Sequence, residues 1–598
     1  MRIIFEGCIL RNLLVIIVLS LFVCLPDSGI AAPPVLNFSD IDSGPKTGNT
    51  DGVGSGAIVT IWGNNLGSTQ STSAVYVGGV QATAIYYWKD ADGNLPGGPA
   101  DLKTYHKMQE IAFAVPAGAV DGANTIKVTV DGVTSNTLPF TVRTGNIRFV
   151  KAGGADSGAG TWSSPWLTPN YAASGSSAAV AGDIIYFVGV ASTTGLKIGG
   201  NSGLAGTAST PFSFITYPNT TASMSGAPGG SESTVVMPWY NEARHTTGIN
   251  LSKLSITAAG NGGGIGGAPN GVMTSQDCRY VGLAITGPTV YGGYGGAVTN
   301  TTYGTQGGVF LGLYIHHYGY PTGWEYNSNL NLWTSPPYDG IAGVGCTNCT
   351  TVDRYQHLFY ISNRAGYRVN AYEIGWGHFT DNPILEGIHI YDQAPGGGWT
   401  GTIKAHHNVI KNQRGGAIDI DYPDTTPVEV YNNIIISDTN TPYSGEAFKI
   451  ANTNNSNIKV YNNTVYGYNT ISSNIGSLVD FRNNIMVDTR GVTFFSTTPT
   501  YQSNNLFYST GSTAKPSWAT ALTGNLNVNP LFINPANYDF RLSASSPATV
   551  AGSDVVIATA PTDFFGQPRL AGSVSIGAIN YTSAIPAPAA PKNFRIIP

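Results

Sequence analysis

"VEVYNNII" (428–435), "IKVYNNTV" (458–465), "VDFRNNIM" (479–486) and "YQSNNLF" (501–507) share one frame, and "IKAHHNVI" (403–410) joins it with histidines in the Tyr and first Asn columns. Aligned, they place Asn432, Asn462, Asn483 and Asn504 in one column and Asn433, Asn463, Asn484 and Asn505 in the next, at steps of 30, 21 and 21 residues. A step of that length, with apolar residues alternating at period 2, suits a coil of three short strands per turn. Stacked asparagines fit such a coil, because each amide can donate to one neighbouring rung and accept from the other. The stretch therefore predicts a right-handed parallel β-helix, with an earlier rung at "GLYIHHYG" (312–319). A β-propeller would want blades of about 40 residues and a blade motif, and the sequence shows neither.

Outward from this core, the composition agrees. In 598 residues only 11% are charged while 11% are aromatic, with 76 glycines. Soluble domains average roughly 25% charge. Disordered chains carry charge and lack aromatics, so the deficit points to many short strands joined by small polar turns. A net charge of −5 and the absence of any Lys/Arg-rich run give no footprint for nucleic acid.

The first residues read as an export signal. Arg2 and Arg11 flank a short n-region, Leu13 to Leu25 is apolar apart from Ser20, and Pro26 ends the run before Gly29-Ile30-Ala31. That run is too short to span a bilayer comfortably, and its flanks suit a cleaved signal peptide over residues 1–31. No second apolar segment of membrane length follows, so the mature chain is expected without a transmembrane segment, secreted or at the cell surface. Cys346 and Cys349 form a CxxC with no second pair to complete a zinc site, which leaves a local disulfide as the plain reading.

Residues 33–143 alternate as short strands separated by Gly/Asn turns at sandwich-like spacing. The run "GAIVTIWGNNLGS" (56–68), then "VYVGGVQA" (75–82), then "IAFAVPAGAVDGANTIKVTVDGVTSNTLPFTV" (111–142) resembles an IPT/TIG domain. The resemblance implies an immunoglobulin-like β-sandwich, common in bacterial surface and carbohydrate-active proteins as a spacer or binding module. "YYWKDADGNLPGGPADLKTYH" (86–106) reads as a longer insertion between its strands. A second module is expected over 147–581. "FVKAGGADSGAGTWSSPWLT" (149–168) and "AGDIIYFVGV" (181–190) resemble the opening of secreted β-helix polysaccharide lyases. "NVNPLFINPANYDFRLSASSPA" (527–548) and "DFFGQPRLAGSVSIGAINY" (563–581) resemble their closing coil and cap. The two resemblances meet near Gly145, which suggests two separately stable pieces and a protease-sensitive joint there. Residues 582–598 are a Pro/Ala-rich tail. The fold class expected is thus all-β, an immunoglobulin-like sandwich followed by a right-handed parallel β-helix.

The lyases that the second module resembles bind and cleave sugar chains along a coil face. Their β-elimination beside a uronate carboxylate needs a cation for the developing enediolate and a base for the C5 proton. Hydrolases use paired carboxylates. Three groups of residues are candidates. Asp419 and Asp421 stand at i and i+2 in "GGAIDIDYPD", so both point out from one strand face, with Asp424 in the loop beyond; together they could hold Ca²⁺. In frame with "EAFKIA" (446–451), Asp419 stacks against Lys449. The segment 353–378 packs Arg354, His357, Arg364, Arg368, Glu373 and His378 into one or two coils, and His406 follows one rung on. Of these, His357, Arg364, Arg368 and His406 are the candidate catalytic residues. "HLFYIS" (357–362) aligns with "GAIDID" (416–421), which would bring Ser362 and Arg364 beside the aspartates. Finally, Trp324, Trp333 and Tyr338 lie in a long interruption, and Trp399 in the Gly-rich "APGGGWTG". Aromatic rings stack on sugar faces, so these four are the candidate glycan contacts. The column Lys404, Glu429, Lys459, Asp480, extended back to Glu373, alternates in charge and reads as a solvated ladder rather than a site.

The function expected is a secreted protein acting on polysaccharide, as a lyase before a hydrolase. The other reading is a non-catalytic adhesin or matrix protein that uses the coil as a stiff glycan-binding scaffold.

Overall fold

A computed structural model of the chain describes residues 32–199 and 518–582 without a break. Between them it describes 204–226, 234–236, 239–241, 244–258, 265–266, 277–286, 296–300, 308–316, 325–327, 332–334, 357–362, 372–380, 386–391, 401–413, 416–421, 426–437, 446–451, 457–468, 478–488 and 501–509, together with 499 and 516. The expected signal peptide, the CxxC cysteines Cys346 and Cys349, and the tail from 583 lie outside these residues.

The sandwich forms as its alternation requires. One sheet runs Val35–Ser39, Ile58–Asn64, Gln109–Ala114, Ile85–Asp90; the other runs Ser43–Gly44, Leu138–Val142, Gly122–Val130, Ala74–Val77, Val80–Gln81. Ile61, Phe113, Val75, Val77, Ile126 and Phe140 fill the space between them. The stretch read as an insertion divides in two. Its start belongs to the strand Ile85–Asp90, and its remainder is a loop whose Ala91, Ala100, Leu102 and Met108 are buried against coil residues Val281, Leu311 and Trp376.

From Ile147 onward the described strands pair in parallel into three long sheets of 12, 11 and 8 strands. The first sheet includes Asn250–Arg279, Glu373–Lys404, Lys404–Glu429 and Glu429–Lys459 as register partners, so each turn of chain adds one rung. The second sheet stacks Tyr314 on His378 and His378 on Val409, and the third stacks His389 on Asp419 and Asp419 on Lys449. Inward side chains such as Ile374, Ala405, Val430, Val460 and Phe481 make one continuous apolar core with those of the other two sheets. The architecture is all-β, a sandwich followed by a parallel β-helix.

The paired asparagines do two different jobs. Asn432, Asn462, Asn483 and Asn504 each take a positive φ of 52–57°, turning the chain from the first sheet into the second. Asparagine tolerates this left-handed region better than most residues. In earlier rungs the same corner is held by Lys253, Gly282, Gly312, Trp376 and His407, all with φ between 54 and 62°. Only the second column stacks as a ladder. Asn408 donates to Asn433 at 3.0 Å, Asn433 to Asn463 at 2.9 Å, Asn463 to Asn484 at 3.0 Å, Asn484 to Asn505 at 3.1 Å and Asn505 to Asn525 at 3.2 Å. His407 therefore replaces a corner asparagine, and the next residue, Asn408, is the ladder member of that rung.

The corner ridge is covered from Lys253 to Asn504. The sandwich sits on the earlier rungs, where Lys253 Nζ donates to Thr60 Oγ1 at 2.7 Å. A Cβ on Gly312 would come within 2.6 Å of Phe38 and 2.8 Å of Leu102, so that rung needs glycine for space as well as for φ. The closing segment runs back over the later rungs, and the corner asparagines donate to its carbonyls. Asn432 reaches Thr562 O at 2.6 Å, Asn462 reaches Ser575 O at 3.1 Å, Asn483 reaches Ser553 O at 3.1 Å and Asn504 reaches Ala551 O at 2.9 Å. Pro34–Tyr581 is accordingly one compact unit. Where the sequence suggested two pieces separable near Gly145, a shared core joins them: Ile147, Phe149, Ile184, Tyr186 and Ile215 of the coil cluster with Ile58, Ile111 and Phe113 of the sandwich.

Candidate functional site

The ridge between the first and second sheets is occupied, and the third sheet forms the side of the coil opposite it. On that third sheet the strands His357–Ser362, Glu386–Tyr391, Gly416–Asp421 and Phe448–Ala451 stack in one frame. Phe359, Ile388, Ile418 and Phe448 form one inward column, and Ile361, Ile390, Ile420 and Ile450 another. Period-2 alternation then sends Tyr360, His389, Asp419 and Lys449 outward in one column, with Tyr391 and Asp421 in the next. The inward isoleucines thus dictate which polar groups meet.

Those groups form a tight cluster. Lys449 Nζ lies 2.8 Å from Asp419 Oδ2 and 3.2 Å from Asp421 Oδ2. His389 Nε2 lies 3.3 Å from Asp421 Oδ2. Asp419 and His389 are buried, whereas Asp421 and Lys449 reach the surface in part. Burial alone would raise the Asp421 pKa, but the His389 hydrogen bond and the Lys449 charge hold it below the ordinary carboxylate range. Rings flank the charges: His389 stacks on Tyr391 with centroids 5.2 Å apart, His357 stacks on Tyr360 at 4.7 Å, and Tyr360 is 6.3 Å from Tyr391. Tyr360 and Tyr391 are half-buried, so each presents some ring surface.

The expected site residues disperse. Asp419 and Asp421 are in the cluster, and His357 lies beside it, its ring 4.9 Å from that of His389. "HLFYIS" does align with "GAIDID", but one rung apart. The strand Glu386–Tyr391 intervenes, so Ser362 is opposite Tyr391 rather than Asp421. His406 is elsewhere, buried on the first sheet, with Nε2 3.0 Å from Glu373 Oε1 and Nδ1 2.7 Å from His407 Nδ1. Burial would raise the Glu373 pKa, yet the His406 contact brings it down to about 2. His378 is on the second sheet, its Nδ1 3.0 Å from Asp101 O. Of the described members of this segment, His357 is on the third sheet, Glu373 on the first and His378 on the second. Trp333 lies in a short hairpin opposite Tyr326. Arg354, Arg364, Arg368, Trp324, Tyr338, Trp399 and Asp424 lie outside the described residues. The charge column is a ladder on the first sheet, with Lys459 Nζ 3.1 Å from Glu429 Oε1.

Sequence reading passed over His389, Tyr360 and Tyr391. The strand "EGIHIY" (386–391) lacks the Asn-Asn signature because it belongs to the third sheet; aligning it under "GAIDID" would have found it. His389, Asp419 and Asp421 offer ligand atoms all within 4.8 Å of one another. Asp424 and its loop, the rest of the expected Ca²⁺ set, lie outside the described residues; of the ligands described, the imidazole suits a first-row metal better than Ca²⁺. The Lys449 ammonium already lies against both carboxylates.

No curated protein matches the chain. Among solved structures it is similar to one titled "The complex structure of XylC with xylose", at 11% identity and a TM-score of 0.33, covering 73% of this chain and 98% of that one. That likeness is too loose to bear on fold or function. The sandwich has a definite relative: residues 38–142 match the family model of the IPT/TIG domain.

Proposed function

We propose that this is an exported protein that binds and cleaves a polysaccharide on the outer face of the third sheet, by elimination rather than hydrolysis. The observation that carries the reading is the cluster of His389, Asp419, Asp421 and Lys449 between half-buried tyrosine rings, on the face opposite the covered ridge. Sugar rings stack on tyrosine faces while their hydroxyls remain wet. The ionised Asp421 accepts from His389 Nε2–H, which fixes the imidazole tautomer and leaves Nδ1 as the basic nitrogen. The His389 Nδ1 atom is buried, so the imidazole acts as the base only with a side-chain shift when the sugar binds, and Lys449 supplies a cation. Hydrolysis needs a carboxylic acid that carries a proton. Asp421 is held ionised and Asp419 faces an ammonium, so neither suits that part.

The test is a panel of uronate-containing and neutral polysaccharides, read both by absorbance of unsaturated products near ~232 nm, which C4–C5 elimination creates, and by new reducing ends. The expected result is unsaturated product from a uronate glycan, with at least about 100-fold less turnover in His389→Ala, the scale of losing general base catalysis. Reducing ends without unsaturation would make it a hydrolase. Binding without either product would leave the scaffold reading. Millimolar Ca²⁺ is expected to leave the melting temperature unchanged; a rise by mass action would restore the calcium site.

A further inference from the structure

Sandwich, coil and closing segment meet at one point, and histidines make the crossings. His106 of the sandwich loop has Nε2 2.8 Å from the carbonyl of His407 on the coil. His378 of the coil has Nδ1 3.0 Å from the carbonyl of Asp101 in the sandwich loop. His407 has Nε2 2.9 Å from the carbonyl of Asp563 in the closing segment. A carbonyl only accepts, so each contact needs an N–H on that nitrogen; at His407 the Asn432 amide nitrogen also lies 3.1 Å from Nε2. Both histidines are buried under rings: the His106 ring stacks on Phe564 at 4.9 Å, and the His407 ring stacks on Trp376 at 3.9 Å. His106 Nδ1 is buried with no hydrogen-bond partner, so a second proton there would be an unsolvated charge.

We propose that this histidine seam is an acid-sensitive latch, which holds the sandwich loop and the closing segment on the coil at neutral pH and releases them as the imidazoles take up protons. Burial presses His106 down to about 3 and His407 well below its ordinary value. A group whose docked pKa is depressed contributes stability above its free value, near 6.5, and that contribution is lost as pH falls below it. Each of the two therefore favours release by about tenfold per pH unit below ~6.5.

Other charges face the seam. Asp101, Lys107 and His378 surround His106; His406, Arg569 and His106 surround His407, alongside Tyr431 and buried Asp563. Elsewhere in the same interface, burial raises Glu110 to about 7 and raises Asp40, while Lys89 and Lys253 oppose the shift. A raised carboxyl binds its proton more tightly when docked, so Glu110 strengthens docking as pH falls through 7 and offsets about one histidine. From ~6.5 downward two histidines act against Glu110, while Asp40 and Asp563, raised from the lower ordinary value of an aspartate, add to docking only once pH falls to their docked values.

The chain itself supplies a control. His407 occupies the corner where later rungs carry asparagine donating to the same segment's carbonyls, as Asn432 does to Thr562 O. His407→Asn thus keeps a donor and removes the titration, and His106→Gln does the same across the sandwich. The experiment is hydrogen exchange of the full chain from pH 7.5 to 5.0, following segments 98–108 and 560–568 and correcting for intrinsic exchange. In the natural protein the opening constant of both segments should rise at least about tenfold between pH 6.5 and 5.0, while third-sheet strands stay protected. The double variant should show no acid rise. His407→Asn alone, the milder change, should show about tenfold less rise per pH unit than the natural protein. Opening that ignores pH in the natural protein, or climbs as steeply in either variant, overturns the latch.

Discussion

Arg569→Met is expected to cost about 3–5 kcal/mol, because it strands several buried acceptors at about 1–3 kcal/mol each. Arg569 is buried in the closing segment and its fork is fully used. Nη2 donates to Asn432 Oδ1 at 2.9 Å and to Ala578 O at 2.9 Å, and Nε donates to Thr562 O at 3.2 Å. It also offsets Asp563, whose carboxylate is buried and accepts from Gln567 N at 2.9 Å and Phe565 N at 3.0 Å. Methionine fills the space but leaves Asp563 without its cation and Asn432 Oδ1 without its donor. The corner asparagine and the closing segment would loosen together. Denaturant midpoints with an unchanged m-value measure the loss. A cost under about 1 kcal/mol would mean that the segment does not depend on this residue.

Asn484→Ala should be nearly as damaging, at about 3–4 kcal/mol. Asn484 Oδ1 accepts from the backbone and side-chain amides of Asn463, each at 3.0 Å, and its Nδ2 donates to Val460 O at 2.8 Å. Alanine strands all three groups in a dry interior, at about 1–3 kcal/mol for each group left unsatisfied. Asn483→Ala, one residue earlier, loses two part-buried bonds with Ser553, Nδ2 donating to O at 3.1 Å and Oδ1 accepting from N at 2.8 Å, and a corner φ that alanine tolerates poorly. It should cost about 1–2 kcal/mol. Equal losses at the two positions would contradict the division of labour between the columns.

The columns show what the sequence could and could not tell. Period 2, the Asn-Asn frame and the small-residue turns gave the coil and its register, because stacking in a parallel coil is periodic. Which asparagine turned the corner was also legible in principle, since asparagine is among the few residues that accept a positive φ. What covers the corners was not. The loop through Leu102 and His106 contacts coil residues some 170 to 300 positions away, the closing segment bonds to ones 47 to 156 positions away, and no local pattern encodes such contacts. The docked sandwich follows from that. The site was half legible. Asp419 and Lys449 came from one aligned pair of strands, while His389 and both tyrosines required the intervening third-sheet rung. His406 misled because residues adjacent in sequence diverge to different faces of a coil.

The central claim is that the third sheet, and not the charged first sheet, is the glycan face. Affinity for the polysaccharide cleaved best, measured by titration calorimetry on the natural protein, Tyr391→Ala and Lys404→Ala, tests it directly. Losing one ring that stacks on a sugar should weaken binding about tenfold, near 1–1.5 kcal/mol. Removing a solvated ladder charge should change it by no more than about 0.5 kcal/mol. Equal losses from both changes, or a larger loss from Lys404→Ala, would contradict the assignment.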